Sequence, residues 1–187
     1  MITKAQVARI KKLLKFYSAI ERLVGPVDKF LDGHHHLKLE SSGFMALCIE
    51  HVGPNQISFA HYYLQNGDMM KDPDVVMEID LANKAAFPLT YQQDGLGLYQ
   101  EIYECDDTGK KLRFSPNLQK SIESFMVTWF DNMKNQGFPS FEERELACKL
   151  TSSKPTMQGV VSVVSATTSS KQETSESVPS QMTLGLM

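Results

Sequence analysis

The sequence predicts an α+β fold: an antiparallel β-meander of about six strands packed with an N-terminal helix and one or two C-terminal helices. Three observations predict it. Apolar residues recur at helical spacing over residues 3–24, the pattern turns to period two with frequent turn residues over 34–114, and helical spacing returns from 115. A block of strands between helices, rather than strand and helix in alternation, belongs to the two-layer α+β class.

The first helix opens at Thr3, with Gln6 as capping-box partner, and carries Val7, Ile10, Leu13, Leu14, Tyr17, Ile20 and Val24 as its apolar stripe. Gly25-Pro26 stops it. Lys4, Lys11, Lys15 and Arg22 share another side of this helix, and such a stripe either is solvated or touches phosphates. No aromatic or glycine pattern accompanies it, so the solvated reading is preferred. Strands are expected over 35–41, 44–51, 56–64, 75–81, 86–92 and 97–105, with 111–114 as a short seventh. The turn chemistry between them includes Asn66-Gly67, Asp72-Pro73-Asp74 and Asp94-Gly95. The run Phe44–Ile49 is apolar on both faces, which suits a central strand, and Pro88 suits an edge or a bulge. A second long helix starts with Ser115 as cap and Pro116 in the first position, presents Leu118, Ile122, Phe125, Met126, Trp129 and Met133 on one side, and closes at Gly137. A short third helix, capped by Ser140 with Glu143, runs to about Leu150.

Composition bounds the rest. At 187 residues, 42% hydrophobic and 22% charged, the chain supports a single core, placed in one domain over 1–150. Residues 151–180, dominated by Ser, Thr, Lys, Gln and Glu, read as a disordered tether in which the Val160–Val164 patch is incidental. A net charge of −3 gives no global attraction to nucleic acid, so such a contact would be local and weak. Cys48, Cys105 and Cys148 are odd in number and lack C-x-x-C spacing, which argues against a disulfide framework or zinc knuckle and for a reducing cytoplasm. No stretch has the length and apolarity to span a bilayer or to serve as a secretion signal.

Chemistry-bearing residues concentrate in two stretches. In the first, Asp68, Asp72 and Asp74 are expected in a loop, with Glu78 and Asp80 on one face of the strand that follows. Five carboxylates at one hairpin would suit Mg²⁺, and with His61 or Lys84 to position water they would suit a metal-dependent enzyme acting on nucleic acid. A polar sheet face explains them equally, and the strand-borne acid-x-lysine spacing of many nucleases is missing. In the second, Tyr91, Tyr99 and Tyr103 would either stack on bases or serve as ordinary strand aromatics. Gly95 and Gly97 make no phosphate cradle, since no helix start follows them. His34 and His36 alternate with His35, and two histidines on one strand face are too few to hold a metal. Cys48, in the most apolar strand, reads as a packed hydrophobe. Neither a catalytic residue, a metal ligand nor a cofactor is assigned.

The stretches HYYLQNGDMMKDPDVVMEID and PLTYQQDGLGLYQEIY resemble the core of an uncharacterised domain family carried by bacterial plasmid, phage and conjugative-element proteins, over roughly residues 5–135. The resemblance implies a mobile-element setting and no established activity. The peptide Gln181-Met182-Thr183-Leu184-Gly185-Leu186 resembles the bacterial sliding-clamp-binding motif: a glutamine, an aliphatic residue, a small residue, a leucine, a spacer and a final leucine. Such a peptide needs an amide to hydrogen-bond at a pocket rim and aliphatic side chains to fill an apolar groove. Gln181, Met182, Leu184 and Leu186 are therefore the expected partner-binding residues, with the sliding clamp as partner. The expected function is that of a nonenzymatic accessory protein of bacterial mobile-element DNA metabolism. A metal-dependent enzyme acting on nucleic acid and a module recognising a host protein are the alternatives.

Overall fold

Thr3 and Gln6 exchange the expected capping-box bonds: the Thr3 main-chain N–H donates to Gln6 Oε1 at 2.8 Å and the Gln6 N–H donates to Thr3 Oγ1 at 3.2 Å. They open α1, Lys4–Val24. In this computed structural model, which describes residues 2–152, α1 turns Leu13, Phe16, Tyr17, Ile20, Leu23 and Val24 into the core. The buried face is rotated from the expected one. Phe16 and Leu23 join it, whereas Val7, Ile10 and Leu14 stay exposed, because at this end of α1 it is the Arg9 and Lys12 side that meets α3. A four-residue helix, α2 (Val27–Phe30), follows the Gly25 stop.

Six antiparallel strands then run in sequence order: β1 His36–Leu39, β2 Leu47–Gly53, β3 Gln56–Gln65, β4 Asp68–Asp80, β5 Ala85–Gln93 and β6 Leu98–Glu101. This is the expected meander, with three differences of extent. The segment around Asp72-Pro73-Asp74 does not break the chain into loop and strand. Pro73 is absorbed in a bulge, Asp72 and Pro73 standing opposite the single residue His61, so that β4 begins at Asp68 right after an Asn66-Gly67 two-residue turn. Phe44 and Met45 lie before β2 and are exposed; the strand buried on both faces is β3, where small Ser58 and Ala60 occupy the side turned away from the helices. Pro88 sits in an internal strand, beside the bulge at Leu89 that lets β5 slip against β4.

The expected strand over 97–105 divides at Ile102. Its side chain is buried and its N–H donates to Leu89 O at 2.9 Å, at the β5 bulge, so the chain turns out of the sheet. There β7 (Tyr103–Cys105) and β8 (Lys111–Phe114) form a separate two-stranded ribbon. The chain re-enters through α3, Pro116–Asn135. Pro116 takes the first position as expected, but the Ser115 hydroxyl makes no cap bond; instead its N–H donates to Ile102 O at 2.9 Å. At the other end Phe138 N–H bonds to Met133 O and Gly137 N–H to Lys134 O, a Schellman stop with Gly137 at φ +79°. A reciprocal Ser140/Glu143 box starts α4, Phe141–Ser152, and Arg144 donates to Leu23 O at 2.7 Å, tying α4 to the end of α1.

One core forms where α1 and α3 cover a single sheet face. Phe130 of α3 meets Phe16 of α1 at 5.9 Å and, edge-on, Phe59 of β3 at 5.6 Å. Ala85 and Ala86 leave room on β5 for α1. Each fully buried side chain of the size of Phe, Ile or Met contributes about 1.5–3 kcal/mol, which is what fixes strand register against the helices. Among the described residues no helix is long and apolar enough to cross a membrane. The expected tether, from residue 153 on, and the 181–187 motif lie outside the described residues.

Candidate functional site

Period two places the apolar residues Val75, Met77 and Ile79 of β4 under the helices, and sends Asp74, Val76 and Glu78 to the opposite side of the sheet. Ser58 of β3, Thr90 and Gln92 of β5, and Tyr99 and Glu101 of β6 fall on that outward side by register. The β7–β8 ribbon contributes Tyr103 and Lys111 beside it, and these two with Asp74, Thr90, Gln92, Tyr99 and Glu101 line a groove of about 490 Å³.

The polar groups of this groove are joined in pairs. Asp74 is buried, and accepts from the Ser58 hydroxyl at 2.6 Å and from Lys71 Nζ. Burial opposes the Lys71 charge, but the hydrogen bond and charge of Asp74 more than offset it, and the ammonium pKa stands above the ordinary lysine value. The Lys71 main-chain N–H donates to Asp94 Oδ2 at 2.8 Å and Gln92 Nε2 to Asp94 Oδ1 at 2.7 Å, which holds the Asp94 carboxyl below its ordinary range. Tyr99 donates to Glu101 at 2.6 Å; that bond, with burial and the glutamate charge, pushes the phenol up to about 12. Lys111 lies 4.1 Å from the Tyr103 ring centre and 3.5 Å from Glu78.

Such a surface is suited to binding. Lys71 is spent on Asp74, and Asp74, Glu78, Asp94 and Glu101 are each held in an ion pair or a hydrogen bond. Cys48, half-buried on the same outward side, has its thiol pushed up by burial and by Glu50, so it is a poor nucleophile. The outward carboxylates of Glu50, Asp74, Glu78 and Glu101 outnumber the ammonium groups of Lys38, Lys71 and Lys111. This balance disfavours a phosphate backbone and fits a polar partner that presents donors.

The five expected carboxylates do not converge. They are strung along one strand, and at about 3.3 Å per residue Asp68 and Asp80 stand roughly 40 Å apart. Asp68 is exposed beside the hairpin turn, Asp72 lies in the bulge, Glu78 faces Lys111, and Asp80 accepts from Asn83 in the β4–β5 turn. Among the described residues no three His, Cys, Asp or Glu side chains are grouped to hold a metal ion. His61 lies on the other face, its ring 5.5 Å from that of Trp129, and Lys84 is exposed in the β4–β5 turn. The tyrosines make no common platform: Tyr91 points inward against Phe125 at 5.3 Å, Tyr99 outward, and Tyr103 stacks on Phe114 in the ribbon. His34 lies 6.2 Å from the His51 ring, and His36 approaches Glu50 at 3.8 Å. Of the basic stripe, Lys15 pairs with Asp131 at 3.0 Å and Arg22 donates to Phe138 O, while Lys4 and Lys11 have no ion pair among the described residues.

Sequence reasoning missed Lys71, Ser58 and Gln92, which organise the groove with Asp74. The available signal was the alternation of Asp74, Val76 and Glu78 with the apolar Val75, Met77 and Ile79; Lys71 joins Asp74 on the outward side only because the bulge at Asp72-Pro73 shifts the alternation. Gln181, Met182, Leu184 and Leu186 lie outside the described residues.

The fold is a two-layer α+β domain whose outward sheet face carries paired polar groups, an architecture that does not by itself specify an activity. The chain belongs to the family described as Domain of unknown function (DUF6908), whose model matches residues 9–139. No curated protein and no solved structure matches it.

Proposed function

We propose that the protein is a nonenzymatic, cytoplasmic accessory protein of bacterial mobile-element DNA metabolism, held on the replicative sliding clamp by Gln181, Met182, Leu184 and Leu186. The observation that carries this reading is the sequence Gln-Met-Thr-Leu-Gly-Leu at 181–186, which supplies each side chain a clamp groove takes, after a stretch of polar composition over 165–180. A short peptide ordered only on binding gives an affinity near 1 µM, about −8 kcal/mol. Retention of the intact protein by purified clamp, with loss on Gln181→Ala/Leu184→Ala substitution, is the expected result. Equal retention of both proteins, or of neither, overturns it.

The folded domain supports a second reading, a protein-binding module recognising a host factor. Tyr99 is exposed on the outward face beside Gln92, in a groove whose charges are already paired. The two readings are compatible, the peptide setting where the protein goes and the groove what it holds there.

A further inference from the structure

Among the described residues, nothing covers an apolar strip on the N-terminal half of α1. Val7, Ile10 and Leu14 are 41%, 48% and 39% exposed although their spacing of three and four residues places them on one line. Lys4 and Lys11 run beside this strip, each within one helical turn of Val7. The neighbouring cations of this helix are engaged within the fold: Arg9 and Lys12 share Glu123 at 3.2 Å, and Lys15 lies 3.0 Å from Asp131. The strip is thus a short helix-packing seam of about two turns, flanked on one side by Lys4 and Lys11 and on the other by uncharged Gln6.

We propose that this face of α1 is a docking surface for an acidic amphipathic helix of a partner protein, with aliphatic residues on its seam and carboxylates opposite Lys4 and Lys11. Charge decides between occupants. In a symmetric antiparallel pairing of two copies, the flanking lysines of one α1 would meet those of the other, and like charges at such positions select against self-association. A bilayer surface is a poorer match, because the strip has three medium aliphatic residues and no aromatic, while the helix's opposite side is packed into its own fold. Nucleic acid would leave the aliphatic residues unused, since two lysines make a small electrostatic footprint.

The test uses the full-length protein and two synthetic 21-residue helical peptides with leucine at the seam positions, one flanked by glutamate and the other by lysine. Titration calorimetry at low salt is expected to show binding of the glutamate peptide in the range of about 10–100 µM, at least tenfold tighter than the lysine peptide. Ile10→Glu abolishes this binding without changing the melting temperature, since the side chain lies outside the core. Lys4→Glu/Lys11→Glu reverses the preference toward the lysine peptide. Equal binding of both peptides, or glutamate-peptide binding that survives Ile10→Glu, overturns the proposal. So does a concentration-dependent dimer in sedimentation velocity that Ile10→Glu dissolves, which would assign the face to a second copy. Capture on phosphatidylserine vesicles that requires Ile10, with no binding of the glutamate peptide, would assign it to lipid and overturns the proposal as well.

Discussion

Asp74 shows how one side chain can organise a surface. With its carboxylate buried, both oxygens need partners, and Ser58 and Lys71 supply them. Replacing Lys71 by Met leaves a buried charge with half its bonds; we expect a loss of about 2–4 kcal/mol in urea unfolding. Ser58→Ala, which removes one neutral donor, costs about 1 kcal/mol. The pair also sets an alkaline limit. Because the Lys71 pKa is raised in the folded state, its stabilisation is complete below the ordinary value of 10.5 and fades as pH rises through the higher folded value. The urea midpoint should therefore drop in that range for the parent protein, with the Lys71 part of the drop absent in Lys71→Met. Tyr99 behaves in the same sense. Its neutral phenol is favoured in the fold, so its contribution is intact below 10 and lost as pH rises through about 12. In a titration followed at 295 nm, the step near 12 should vanish in Tyr99→Phe and move toward 10 in Glu101→Gln; an unmoved step would show that the bond to Glu101 is not its cause.

At the level of elements, helix ends were the most legible parts of the sequence. Thr3/Gln6 and Ser140/Glu143 form the reciprocal bonds their spacing predicts, because a capping box is satisfied entirely within four residues. Ser115 was misleading for the opposite reason: the N–H of Ser115 is claimed by Ile102, a partner that only the assembled sheet provides. The extent of β4 was hidden likewise, since Asp-Pro-Asp reads as a turn unless β3 is there to hold the bulge. Gly25 gives this element scale its test. It lies at φ +86°, and a Cβ there would sit 2.6 Å from the Phe141 ring of α4. Gly43, at φ +83°, has open space where a Cβ would go. Gly43→Ala loses about 1 kcal/mol to its positive φ, whereas Gly25→Ala should lose about 1–3 kcal/mol because ψ −151° with this φ is open only to glycine, and a further 1–3 kcal/mol to overpacking between α1 and α4. Equal melting temperatures for the two variants would mean that α4 yields without cost.

For the whole molecule, periodicity revealed the layers and local chemistry revealed the caps, but the function-bearing surface depended on which strands meet. Alternation in β4 separates its inward Val, Met and Ile from its outward acids in any register; only pairing with β3 brings Ser58 to Asp74. The same holds for the tie that closes the fold, where the charges of α1 meet a carboxylate of α3 more than a hundred residues away. Glu123, whose side chain is 3% exposed, takes Arg9 Nε at 3.2 Å on one oxygen and Lys12 Nζ at 3.2 Å on the other. The cations are 48% and 29% exposed, so the desolvation in this triad falls most heavily on the glutamate. That asymmetry makes the cost of mutation asymmetric. Removing the acid by Glu123→Met lets both cations turn to water and puts an apolar side chain of similar size in its place, at a cost of about 1 kcal/mol or less. Removing the cations by Arg9→Met/Lys12→Met strands the carboxylate in the interface, at a cost of about 3–5 kcal/mol. For a domain of this size we expect melting to fall by about 10 °C or more in the double variant and by no more than about 4 °C in Glu123→Met. If Glu123→Met proves the more damaging of the two, the triad stabilises the α1–α3 contact by net attraction, and the account of Glu123 as a buried charge tolerated only for its partners is wrong.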